Sequence, residues 1–138
     1  MSRRIAAYVW ASPNSLLGLL LGGVMLMLGA RAQRIAGALE IRGGLIGSVL
    51  LSPRLACPFR AITLGHVILA TDDTSLDCSR THEHVHVQQY ERWGPLFLPA
   101  YLASSLWQLL RGRDGYKDNH FERQACARCA TTAGGRIE

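Results

Sequence analysis

The sequence predicts an α+β fold: an apolar N-terminal helix, then a small β-sheet, then three helices. Three observations predict it. Residues 16–30 are almost wholly apolar, residues 38–70 hold alternating runs broken by glycine, and from residue 74 onward cap and stop signals bracket the remaining segments. A chain of 138 residues is one domain's worth and can bury a core, but it is too short for a separate substrate domain.

The first element is Leu16 to Ala30, preceded by Ser12-Pro13, a fitting N-cap and N1 pair. As a helix of about 18 residues it measures about 27 Å, close to the hydrocarbon thickness of a bilayer. The expectation is an uncleaved membrane helix within residues 1–33, with basic flanks. A buried or interfacial helix and a cleaved signal peptide are the alternatives, although Ala30-Arg31-Ala32 makes a poor cleavage site. Arg3 and Arg4 precede the run and Arg31, Arg34 and Arg42 follow it, which leaves orientation open. A net charge of +5 suits contact with membrane lipid headgroups; no nucleic-acid-binding motif appears.

Strand texture follows. Ala38–Arg42 alternates, Gly43-Gly44 breaks it, Leu45 to Leu51 resumes as a further strand, and Ile62 to Ala70 is the strongest strand candidate.

The next helix is expected over Ser75–Arg92, with Thr74 and Asp77 as a capping-box variant and Trp93-Gly94-Pro95 as the stop. Within it His82-Glu83-His84-Val85-His86 spells HExxH. Residues four apart lie on one helix face, so His82 and His86 can aim at one ion, in this setting zinc. Glu83 lies about 100° round the helix, off the metal but near a water bound to it, where a carboxylate serves as general base. Gln89 shares the His82/His86 face and is expected behind an imidazole as its hydrogen-bond partner. His84 points elsewhere. A catalytic zinc site normally takes three protein ligands, and the candidates for the third are His66, His120 and the few acidic residues, the best of them Glu122.

Pro95 to Leu110 is a second apolar run. If it crossed a bilayer, Glu122 would emerge about 30 Å from His86, too far for both to reach one ion. It is therefore expected to pack on the HExxH helix or lie along the interface, with Trp93, Tyr101 and Trp107 as anchors or simply as core. Gly112 ends it, 113–118 forms a loop, and Asn119 with Glu122 three residues later reads equally as a helix cap with an acidic third position. Tyr116 and His120 are the available donors for a developing oxyanion, and Asn119 is placed behind the ligands. Cys126 and Cys129 form a lone CxxC; Cys57 and Cys78 do not supply the second pair of a zinc ribbon. Residues 131–138 read as a frayed, disordered tail.

HExxH followed by glutamate in Asn119-His120-Phe121-Glu122-Arg123-Gln124-Ala125 resembles the gluzincin metallopeptidases, particularly minimal single-domain ones. It also resembles small bacterial proteins carrying HExxHxxQ, Tyr-Glu-Arg-Trp-Gly-Pro and Asn-x-Phe-Glu-Arg-x-Ala. The resemblance covers about Ile62 to Ala125 and implies a zincin-like domain over 34–130, at a bacterial inner membrane. It implies one zinc ion held by His82, His86 and Glu122, with Glu83 as base and a peptide or protein substrate. It also implies a substrate-holding edge strand within Ile62 to Ala70, including Ile62, Leu64 and His66. Many gluzincins carry an acidic residue four positions after the ligand glutamate; Cys126 stands there. The rival reading is a non-catalytic membrane scaffold with a structural or degenerate metal site. Oligomeric state is not legible.

Overall fold

The computed structural model describes residues 3–50 and 60–134; Leu51, Cys57 and the last four tail residues lie outside that range. The elements run α1 (Arg3–Met27), β1 (Arg31–Ile35), β2 (Ala38–Arg42), α2 (Gly44–Leu50), β3 (Ala61–Leu64), β4 (Val67–Ala70), α3 (Asp73–Trp93), a 3-10 turn (Gly94–Leu96), α4 (Phe97–Leu110) and α5 (His120–Gly134). The expected α+β order is observed. The sheet is mixed, in the order β1-β2-β4-β3, with only β2 and β4 parallel.

The first helix starts earlier than its Ser12-Pro13 pair suggested, because Pro13 lies inside it. Proline leaves the carbonyl four residues back without its helical donor. Here Ser12 Oγ donates to that carbonyl, Val9 O, at 2.8 Å. β1 was not expected: its arginines read as a basic flank, but Ala36 and Gly37 both take positive φ, as a type I′ turn requires, and fold it back on β2.

Of the run expected as a further strand, the described part, Leu45 to Leu50, does not extend the sheet. Both edges of β2 are occupied, and a parallel β2–β4 link needs a crossover, so the segment begins as the helix α2. Ile62 to Ala70 is two strands rather than one. Gly65, at φ 64, turns the chain between β3 and β4, and the His66 N–H donates to Ser15 Oγ of α1 at 3.0 Å.

The sheet lies between α1 and α3. Ile41, Val67 and Leu69 face α1 together with Met25. Small residues allow that approach: a Cβ on Gly18 would stand 2.7 Å from the Val67 Cβ. Ala38, Ile68 and Ala70 face α3, against Leu76 and Val87. On that face the wholly buried Glu40 accepts from Arg80 Nε at 3.0 Å, with His84 Nε2 3.3 Å away, so His84 belongs to the sheet side of α3.

α3 is capped by Asp72 rather than Thr74, its carboxylate accepting from the Ser75 N–H at 2.6 Å. α4 packs through Phe97 and Tyr101 onto Tyr90 and Phe121, while Leu102, Leu106, Trp107 and Leu110 stay exposed. Trp93 meets Phe121 edge-on at 5.7 Å while its outer face stays exposed. α5 continues to Gly134, four residues into the segment expected to fray.

Candidate metal centre

Two faces of α3 carry polar side chains into packed surroundings at once, which explains why so polar a helix sits at the centre of the fold. Leu76, Arg80, Glu83 and Val87 recur at helical spacing towards the sheet; His82, His86 and Gln89 turn towards α5.

The three expected ligands converge. His82 Nε2 lies 2.9 Å from Glu122 Oε2, His86 Nε2 lies 3.2 Å from Glu122 Oε1, and the two Nε2 atoms are 3.1 Å apart. Tetrahedral zinc with bonds of 2.0–2.1 Å sets neighbouring ligand atoms about 3.3 Å apart. The donor set therefore fits a divalent cation with little adjustment. Among the described residues it is the one such group of histidine, cysteine and carboxylate atoms.

Hydrogen bonding fixes which nitrogen faces inward. Gln89 Nε2 donates to Phe121 O at 3.1 Å and to Gln124 Oε1 at 2.8 Å, which leaves Gln89 Oε1 to accept from His86 Nδ1 at 2.8 Å. The His86 Nε2 lone pair is then directed at Glu122 and His82. Behind the other imidazole, Cys126 Sγ lies 3.9 Å from His82 Nδ1, the place where the family resembled carries an acidic side chain.

Glu83 is buried, and Thr63 Oγ1 donates to its Oε2 at 2.7 Å, tying the expected base to strand β3. Tyr101, expected as an anchor or as core, packs on the core and also donates from its hydroxyl to Glu122 Oε1 at 2.6 Å. Sequence reasoning missed Thr63 altogether and missed this role of Tyr101. The available signals were period-2 alternation, which makes Thr63 the polar member between Ile62 and Leu64, and a lone hydroxyl inside the apolar run of α4.

The electrostatics follow from proximity. Burial opposes an imidazolium at His86, but the Glu122 carboxylate outweighs it and holds the His86 pKa above its ordinary value. Burial likewise opposes the Glu122 charge, yet the two imidazoles and the Tyr101 hydroxyl hold its pKa well below the usual carboxylate range. Burial, then Glu122, pushes the Tyr101 and Tyr116 phenols far up, so both remain neutral donors.

The site opens into a cavity of about 190 Å³ walled by Ile62, Thr63, Leu64, Glu83, His86, Tyr101, Tyr116 and Glu122, with Phe97, Leu98 and Leu102 of α4 completing it. Ile62, Leu64 and Tyr116 thus line this cavity. Three other residues named from the sequence do not. His66 sits in the β3–β4 turn, stacked on Tyr8 at 4.0 Å and paired with Glu91 at 3.0 Å, because the glycine turn carries it past the strand. His120 is exposed on the first turn of α5 with its ring edge-on to Phe121. Asn119 touches neither imidazole: its Oδ1 accepts the Phe121 N–H at 2.9 Å and its Nδ2 donates to Tyr101 O and Ser105 Oγ, clamping the start of α5 to α4. The cap and ligand readings of Asn119 and Glu122 therefore coexist on neighbouring residues.

Comparison of the chain with protein-family models, with curated proteins and with solved structures finds no match in any of the three. The functional argument accordingly rests on the geometry of the site.

Proposed function

We propose that the chain is a membrane-associated, zinc-dependent metallopeptidase of the gluzincin type, hydrolysing peptide bonds. The observation that carries this reading is that the Glu83 carboxylate shares a cavity with His86 and Glu122, which converge with His82. Two histidines and a glutamate are a donor set that suits zinc. A zinc ion there supplies Lewis acidity, lowering the pKa of a bound water and polarising a carbonyl. The residues of the chain do the rest. Glu83 takes the proton of the attacking water and returns it to the leaving nitrogen. Tyr116 is the hydroxyl on the cavity wall suited to the developing oxyanion, while Tyr101 holds Glu122 in place.

A closed, purely structural site would need a fourth protein ligand. The two histidines that could supply it are engaged elsewhere, His66 with Glu91 and His120 on the surface. α1 is long and apolar enough to cross a membrane. Its outward leucines, among them Leu16 and Leu20, and the bare face of α4 support attachment to a bilayer.

The test is metal content and peptide cleavage on purified full-length protein. Glu83→Gln should retain zinc and lose hydrolysis by about 10²-fold or more, whereas His86→Ala should lose zinc. Wild-type cleavage by Glu83→Gln, or equal zinc in His86→Ala, overturns the reading.

A further inference from the structure

The outer edge of β3 is the rim of the metal cavity, and among the described residues no strand pairs with it. An extended chain laid on such an edge gains backbone hydrogen bonds and sends alternate side chains to opposite faces of the sheet. On the α3 face, where Thr63 meets Glu83, those side chains enter the metal cavity. The α1 face offers a second cavity of about 360 Å³, bounded by Leu21, Val24, Ile46 and Leu69, with Arg60 also on its wall, and sharing Ala61 and Ile62 with the first. Both are walled chiefly by apolar side chains.

One edge strand with an apolar cavity on either side selects for something that a single pocket cannot. A peptide alternating apolar and polar residues fills one cavity and places polar groups unpaired in the other, at a desolvation cost. Only consecutive apolar residues satisfy both. Leu21 and Val24 also belong to the half-exposed face of α1, so the second cavity is continuous with the surface assigned to lipid.

We propose that the substrate segment held along β3 is an uninterrupted apolar run in extended form, of the kind found in membrane-inserted and signal-type sequences, with its side chains seated alternately in the metal cavity and beneath α1. This rests on the peptidase reading above and names its substrate class.

The experiment uses full-length, zinc-loaded Glu83→Gln protein in lipid nanodiscs and three short fluorescent peptides with lysine ends. One has an uninterrupted leucine–valine core; the other two carry asparagine at the odd or at the even core positions. Binding is read by anisotropy against protein-free nanodiscs. Each apolar side chain moved out of water tightens binding by about tenfold, so the uninterrupted peptide should bind at least about tenfold better than either alternating one. Val24→Trp, which fills the cavity beneath α1, should abolish its advantage over the alternating peptide that needs only the metal cavity. Photocrosslinking from a diazirine-bearing leucine in the core of the uninterrupted peptide should label α1 around Val24 in the protein with its native Val24.

Equal binding of all three, or no labelling of α1 by the uninterrupted peptide, overturns the substrate class. If wild-type protein still cleaves any of them in a zinc-dependent way, the peptidase reading survives that result. Neither binding nor cleavage of any peptide removes both.

Discussion

Thr63 on an edge strand and Glu83 on the central helix share a hydrogen bond of 2.7 Å, so the placement of the expected base is set by the sheet. Thr63→Val keeps the shape and removes the donor. The expected outcome is a fall in kcat of about 10²-fold, the scale of a small misplacement at a reacting centre, with zinc content unchanged. Thr63→Ser should restore most of the rate, and steady-state kinetics beside metal analysis checks both.

The two partners behind the imidazoles differ in quality, and metal affinity should show it. Gln89 is held by two donations of its own and accepts from His86 at 2.8 Å; Gln89→Leu should weaken zinc binding by about 10–100-fold. Cys126 Sγ is a poor acceptor 3.9 Å from His82. Cys126→Asp, which puts a carboxylate there, should tighten zinc binding by a factor of about ten. Competition with a chromophoric chelator measures both.

The metal-free protein has a proton-linked pair. Glu122, depressed from its ordinary 4.5, contributes stability that is present above that value and lost as pH falls through its lower folded pKa. His86, raised from its ordinary 6.5, contributes stability that is full below that value and lost as pH rises through its higher folded pKa. Zinc competes with the proton, so its affinity rises with pH. Between about pH 6 and about pH 8 the chelated protein should lose Tm while the zinc-bound protein does not. Thermal scans with and without chelator test this, and a pH-independent gap would refute it.

Gly18 sets two effects of opposite sign against each other. Alanine raises helix propensity by about 1 kcal/mol, but its Cβ would stand 2.7 Å from Val67 Cβ and 3.0 Å from the Leu64 carbonyl, which is backbone. Overpacking of that kind costs about 1–3 kcal/mol. Gly18→Ala should therefore lower stability on balance, read by thermal unfolding in detergent.

The histidine pair was legible because helical periodicity is local: once His82 and His86 lie four apart on one helix, their convergence needs nothing from the rest of the chain. Glu122 was legible only through its motif, since docking of α5 on α3 is a matter of tertiary packing. What escaped were features decided by neighbours. Leu45 to Leu50 has strand texture but meets a sheet with no vacant edge beside β2. Leu64-Gly65-His66-Val67 looks continuous until Gly65 takes φ 64 against Ser15 of α1. The hydroxyl of Tyr101 finds its acceptor only after α4 and α5 have packed.

His82 and Glu122 are separated by 40 positions, and the second of them arrives on the last helix. A ribosome releasing this chain from its N-terminus thus exposes two imidazoles well before the carboxylate that completes them. On the proposed reading, firm capture of zinc is expected only after α5 has docked, and an unfinished polypeptide lacks the third donor. Metal retention in a chain ending at Asp118 would show whether this ordering holds.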